Sequence, residues 1–301
     1  MAFPGFRLWS SRRGVLSGGL RVYGTPPAPY PQRIVCLTAE TVEVVYALGA
    51  GERVVGVSGA ATRPPEARDK PKVGGFTTFR LDKILALEPD LVLAFSDLQA
   101  DVVRDLVRAG VAVLALNQRS LAGVFQAILM IGGVLGLPER ARELVADMQD
   151  EIRQIREFSS VWPDRPRVYF EEWGDPPIAG IRWVSELIEI AGGQDVFPEL
   201  RERPDARGRV VEPAEVVRRA PQIVLASWCG KPVDLEAIRR RPGWEGLPAV
   251  REGRVYAVPA DDILAPGPSL LRGLRTLHDV IQAWVAGQSF ENGISYKGLK
   301  T

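Results

Sequence analysis

LPERARELVADMQDEIRQIREF, residues 137–158, is the stretch on which the fold turns. Ala141, Leu144, Val145, Met148, Ile152 and Ile155 recur at helical spacing and lay one apolar stripe along an otherwise charged cylinder. Pro138 falls in the first turn, where its missing N–H costs nothing. From Pro138 to Phe158 such a helix runs roughly 30 Å at 1.5 Å per residue, enough to bridge two domains. Residues 121–158 carry almost no strand signal, whereas the flanks on either side alternate short β-branched runs with helical stretches.

On the amino-terminal side RIVCL (33–37) reads as a buried strand. TAETVEVVYALGAG follows as a helix opened by Thr38 or Thr41 and closed by Gly49 or Gly51. RVVGV (53–57), the Pro-rich loop TRPPEARDKP, a short helix from Leu81 to Leu87, DLVLAF (90–95), a helix near 98–109 and VAVLAL (111–116) continue the pattern. On the carboxyl-terminal side come RVYFE (167–171), the helix RWVSELIEIAG, a charged loop RERPDARGR, a helix near 213–219, QIVLA (222–226), RVYAV (254–258) and a last helix from Pro268 to Val285. Such alternation calls for a mostly parallel sheet covered on both faces. LDKILALEPDLVLA (81–94) and PAEVVRRAPQIVLA (213–226) align without a gap, which suggests two related halves. The expected fold class is α/β: two Rossmann-like lobes joined by one long helix, with a ligand cleft between lobes. The expected limits are a disordered or remnant leader (1–32), an N-terminal lobe (33–137), the bridging helix (138–160), a C-terminal lobe (161–286) and a flexible tail (287–301).

The 301 residues carry 38 Lys plus Arg against 37 Asp plus Glu, so no global field draws the chain to nucleic acid or an anionic membrane. Cys36 and Cys229 have no CxxC spacing and read as small buried residues. His278 is the one histidine, too few for a histidine-based zinc or haem site, and no GxSxG elbow supports a serine hydrolase. No apolar run reaches 18 residues. SSRRGVL (10–16) is similar to a twin-arginine export signal, but SGGLRVYGTPPAPYPQ lacks the apolar region such a leader needs.

Ligands of open α/β sheets bind beyond the carboxyl ends of the strands. The loops there bring Phe76, Phe79, Phe95, Trp173, Trp183 and Trp228, a lining suited to a large, partly apolar ligand; Trp183 has the spacing of a packing residue instead. Glu171, Glu172, Asp175, Asp261 and Asp262 add acid, and Arg201, Arg203, Arg207 and Arg209 sit on a Gly/Pro-rich loop read as solvated. Adjacent Glu171 and Glu172 face opposite sides of an extended segment, which weakens a glycosidase reading. Neither a P-loop nor GxGxxG occurs.

RIVCLTAETVEVVYALGAGERVVGVS, KVGGFTTFRLDKILALEPDLVLAF, GIRWVSELIEIAGGQDVFPE and GRVYAVPADDILAPGP together resemble the helical-backbone (class III) periplasmic solute-binding proteins. The resemblance is to the cobalamin-binding proteins of ABC importers among them, with siderophore and haem binders as relatives. It covers about residues 33–285. It implies capture of a small molecule, cobalamin or another corrinoid, by a monomer with no chemistry, delivered to an ABC permease, outside the cytoplasm; the poor leader leaves a cytoplasmic corrinoid binder without a transporter as an alternative. By position, Phe76 and Phe95 match aromatic ligand contacts of the first lobe, Trp173 a second-lobe aromatic loop, and Asp261 an acidic pocket residue. Glu171, Glu172 and Trp228 are expected beside them, the acids and Asp261 bonding ligand amides. Asp82 matches the first of two acids that dock on the permease; the second falls at Ala214, with Glu215 and Glu212 nearby. A further aromatic position falls at Gly208 and a pocket arginine at Ala265. An iron-siderophore would need Arg201–Arg209 at the cleft, and haem an axial ligand such as Tyr169. A metal-dependent lyase or nitrogenase-like subunit would need more thiols than Cys36 and Cys229 supply.

Overall fold

The computed structural model describes residues 28–288 and residue 290; the rest of the expected leader and tail lie outside the described residues. In the first lobe, β1 (Ile34–Cys36), β2 (Val54–Val57), β3 (Leu91–Phe95) and β4 (Val113–Leu116) form a wholly parallel sheet in the order β2-β1-β3-β4. Helices α1 (Ala39–Ala47), α2 (Leu81–Ala86) and α3 (Ala100–Arg108) alternate with these strands. β1 and β3 are buried along their whole length, which is why they read as unbroken apolar runs.

Two long helices follow, α4 (Leu121–Leu135) and α5 (Pro138–Ser160). Gly136, at φ +73°, ends α4 in the left-handed region that glycine enters freely. At Gly132 a Cβ would collide with the Cβ of Ala141, so only glycine lets the two helices approach this closely.

The second lobe holds β5 (Arg167–Gly174), β6 (Pro177–Ala179), β7 (Gln194–Asp195), β8 (Ile223–Ala226) and β9 (Val255–Ala257), in the order β6-β5-β8-β9 with β7 beside the start of β5. Its helices are α6 (Arg182–Ile190), α7 (Pro213–Arg219), α8 (Leu235–Arg239), α9 (Pro248–Arg251), α10 (Ala260–Ile263) and α11 (Leu270–Val285). β6 pairs antiparallel with the end of β5, where the sequence reads as a loop. Its Pro177 is the first residue of an outer strand, the place where a sheet tolerates a missing donor.

The echo between the halves is structural. Glu88 and Ala220, 132 positions apart, both close their helices with positive φ (46° and 45°). In each lobe the arginine that precedes or opens the first strand caps that turn. Arg33 Nη2 donates to Leu87 O at 2.6 Å and its Nε to Glu88 O at 3.0 Å; Arg167 Nε and Nη2 donate to Ala220 O at 3.0 and 2.9 Å. The next side chain receives the strand's first amide: Asp90 Oδ1 accepts from Arg33 N (2.9 Å), and Gln222 Oε1 from Arg167 N (3.0 Å).

Ala141, Val145, Met148, Ile152, Ile155 and Ser159 are the buried face of α5. This face packs against α4 of the first lobe and α6 and α11 of the second, and the apolar core runs through it from Ile34 to Ile281. Glu151 clamps Arg275 of α11 with two bonds of 2.5 Å.

A left-handed alanine costs about 1–2 kcal/mol that glycine avoids, partly offset by glycine's greater freedom when unfolded. Ala220→Gly is therefore expected to raise stability by about 0.5–1 kcal/mol, and Arg167→Ala, which strips the cap from the same turn, to lower it by about 1 kcal/mol. Urea unfolding of the two variants reads both signs.

Candidate functional site

The carboxyl ends of the strands in both sheets open toward the seam between the lobes, and the loops there carry the predicted residues. Bonds across the seam occupy one side of it. Thr62 Oγ1 donates to Asp261 Oδ2 at 2.6 Å, and Arg63 reaches Asp262 Oδ1 at 2.7 Å and Asp261 O at 2.6 Å. Glu43 faces Arg63 at 3.3 Å, Arg272 at 3.4 Å and the Ser269 amide at 3.2 Å, while Asp262 also holds Arg272 at 2.9 Å. Toward α5, Glu186 Oε2 accepts from Leu121 N at 2.8 Å. Among the described residues no hydrogen bond or ion pair joins the loops of Phe76 and Phe95 to those of Trp173 and Trp228.

In the first lobe a buried carboxamide positions the aromatics. Gln99 Oε1 accepts from Phe95 N at 3.0 Å, and its Nε2 donates to Phe76 O at 2.9 Å and Leu37 O at 3.3 Å, which ties three cleft loops to one side chain. Phe95 is only 6% exposed and lies under the Arg119 guanidinium at 5.3 Å; Phe76 is half-buried. Between Phe95 and Gln99, Ser96 takes a positive φ of 68° and receives Leu98 N on its hydroxyl.

The second lobe uses a carboxylate for the same purpose. Glu171, expected among the ligand contacts, is 0% exposed: Arg241 grips it with bonds of 2.6 and 3.1 Å, and Trp228 Nε1 (3.3 Å) and Tyr169 OH (3.4 Å) donate to it. Burial, then the Glu171 charge, push the Tyr169 phenol well above its usual range, so it stays a donor. Glu172 turns the other way, as its neighbouring position requires, and is held by Arg209 at 2.6 and 3.0 Å and by Ile181 N at 2.9 Å. Glu171 is thus a buried support rather than an open acceptor for ligand amides, whereas Glu172, also held by an arginine, keeps a side chain 19% exposed. A bulge in β5 at Glu172 lets the strand turn there. Beyond it Trp173 is half-buried, its Nε1 bonded to Asp175 O at 2.9 Å, and Trp228 is 8% exposed. The Lys231 ammonium lies 3.8 Å from the Trp173 ring centroid and 4.8 Å from that of Trp228.

Other expectations change with their surroundings. Arg209 is buried rather than solvated, and Arg201 bonds Ser185 and Glu189, while Arg203 and Arg207 remain exposed. Trp183 packs, donating to Ile263 O at 2.9 Å. Cys36 is buried, its thiol pushed up to about 12 by desolvation, but Cys229 is exposed because it follows Trp228 out of the sheet onto the cleft loop. His278 lies stacked on Trp162 at 5.1 Å. Asp82 is exposed and bonded by Arg80 at 3.0 and 2.8 Å, which pulls its carboxyl below the usual range; Glu215 is held by Arg218 and Arg219 beside a hollow of about 430 Å³ lined by Phe197, Leu200, Val210 and Glu212. The signal missed in sequence is the set of distant partners, Arg241 and Gln99 above all, since nothing local marks them.

Glu40, 4% exposed in the first turn of α1, has its pKa raised to about 7; desolvation is the main cause, opposed by the Thr38 hydroxyl and reinforced by Glu43. The folded chain then keeps a proton that the unfolded chain, with the ordinary glutamate value of 4.5, gives up. That contribution is full below pH 4.5 and lost as pH rises through 7, about 3 kcal/mol in all. Glu40→Gln is expected to flatten this slope and to exceed the parent's stability at pH 8, as chemical unfolding at pH 5 and 8 can check. Arg241→Met strands a buried carboxylate and should cost about 3–5 kcal/mol, most of it recovered when Glu171→Leu is added; a double-mutant cycle in urea measures the coupling.

No group of three or more His, Cys, Asp or Glu among the described residues could hold a metal, and no described helix is long and apolar enough to cross a membrane. The family model described as periplasmic binding protein matches residues 34–261. An uncharacterized ABC transporter substrate-binding lipoprotein, YvrC of Bacillus subtilis (strain 168), is 31% identical over 260 residues, 83% of this chain and 80% of that one. A vitamin B12-binding protein of Vibrio parahaemolyticus serotype O3:K6 is 26% identical over 257 residues, 83% of this chain and 87% of its own length. Among solved structures, the periplasmic heme-binding protein RhuT from Roseiflexus sp. RS-1 in apo form aligns with a TM-score of 0.70 at 26% identity, covering 83% of this chain and 99% of that one. The two-lobed α/β fold, the aromatic loops at its seam and these likenesses agree: the chain belongs to the periplasmic binding protein family, as a solute-binding protein of ABC-importer type and not an enzyme.

Proposed function

We propose that the chain captures a corrinoid, cobalamin or a close relative, between its lobes and delivers it to an ABC permease outside the cytoplasm. The observation that supports this reading is that each lobe carries aromatics on the loops beyond its strands, Phe76 and Phe95 in one, tied by Gln99, and Trp173 and Trp228 in the other, with Trp228 bonded to Glu171. Aromatic side chains of this kind, with Trp173 and Phe76 half-buried, suit a broad, rigid, partly apolar macrocycle. The likeness to vitamin B12-binding proteins supports the same ligand class.

The competing ligands lose their expected partners. Tyr169 is fully buried against Glu171 and His278 is stacked among aromatics at the end of α5, so neither is placed to ligate haem iron. Arg201 and Arg209 are taken by Glu189 and Glu172, which leaves only the exposed Arg203 and Arg207 of that loop for an iron-siderophore. Asp261, tied to Thr62 across the seam, acts here as part of the lobe contact as much as of the pocket. For delivery we propose Asp82 and Glu215 as the permease-facing acids, each already carrying an arginine.

Calorimetry and absorbance titration with cobalamin test the reading. Micromolar or tighter binding is expected, with Trp173→Ala weakening it tenfold or more, about 1.4 kcal/mol or above. No heat and no thermal shift with cobalamin or cobinamide would overturn it, and a Soret band on adding haem with tight stoichiometric uptake would replace it.

A further inference from the structure

Lys231 carries a charge that the second lobe leaves unanswered. It is exposed, it lies five positions past the end of β8 at Ala226, and its ammonium lies over the rings of both Trp173 and Trp228. Among the described residues no carboxylate pairs with it. The two acids on the adjoining strand are consumed, Glu171 by Arg241 and Glu172 by Arg209, and Asp175 lends Trp173 only its backbone oxygen. The cleft cations of the first lobe differ: Arg119 is balanced by Asp97 at 2.9 Å, and Arg63 by Glu43 and Asp262.

Two indole faces attract an ammonium through their ring quadrupoles and hold it in place without neutralising it. Its three N–H donors meet no acceptor in the rings' planes and remain free for oxygen ligands. A positioned, unneutralised cation beside an aromatic wall is a receptor for an anionic oxygen group on a ligand whose body lies against that wall.

We propose that Lys231 seats the phosphodiester of a nucleotide-bearing corrinoid and sets the cleft's preference for such ligands over corrinoids that lack the nucleotide. This rests on the corrinoid reading and adds to it the ligand's anionic group and the residue that selects it. Trp173 and Trp228 then act twice, as apolar wall and as the holder of the ammonium.

The test is calorimetry with cyanocobalamin, which has the phosphodiester, and dicyanocobinamide, which has none, on the parent, Lys231→Met and Lys231→Arg at 50 and 500 mM NaCl. The parent should bind cyanocobalamin at least tenfold tighter than dicyanocobinamide, with the margin shrinking at high salt. Lys231→Met should lose tenfold or more for cyanocobalamin, stay within twofold for dicyanocobinamide and show no salt-dependent margin, at an unchanged melting midpoint; Lys231→Arg should keep the preference. Equal losses for both ligands, or none, would overturn the role of Lys231 while leaving the corrinoid reading intact. If the parent binds neither ligand, the corrinoid reading fails and takes this proposal with it.

Discussion

The apolar stripe of α5 is the constraint from which the rest of the molecule takes its arrangement. Ala141, Val145, Met148, Ile152 and Ile155 are buried between elements of both lobes, so the helix belongs to each lobe's core at once. Gly132 brings α4 into contact at Ala141, and Glu151 fixes α11 through Arg275. Close-packed interiors resist continuous deformation. The two sheets are therefore joined through one continuous apolar core that runs along α5, rather than by a bare linker.

Within that frame each lobe solves the same problem with different chemistry. Loops at the ends of parallel strands carry backbone groups that must be satisfied once aromatics cover them. The first lobe assigns this to the neutral Gln99, the second to Glu171 with its ion partner Arg241. A buried ion pair stabilises little on balance but tolerates loss of either member badly. Its consequence here is geometric: it orients Trp228 through the indole N–H and ties Arg241 to Glu171 and to Gly174 O.

The strands and helices of the parallel sheets were legible because burial on both faces demands uninterrupted apolar runs, as in IVC and LVLAF, and because α5 shows its stripe plainly. The echo of 81–94 in 213–226 was legible too, though the shared left-handed turn at Glu88 and Ala220 was not, since neither residue type advertises positive φ. β6 hid behind its prolines. The locations of the aromatic loops followed from strand order, but the roles of Glu171 and Glu172 did not: their arginines come from positions 241 and 209, and tertiary pairing over such separations leaves no local pattern. Cys229 read as core for the same reason, its exposure being set by where the loop after Trp228 turns.

The latch across the seam completes the logic of the site. Glu43 and Asp262 face Arg63 and Arg272, two charges of each sign, contributed in equal number by the two lobes. Closing the lobes at this point therefore buries no net charge, and the desolvation of each ion is offset by two partners rather than one. Thr62 and Asp261 add a neutral-to-charged bond beside it. The latch is thus self-sufficient, whereas among the described residues no bond joins the loops of Phe76 and Phe95 to those of Trp173 and Trp228.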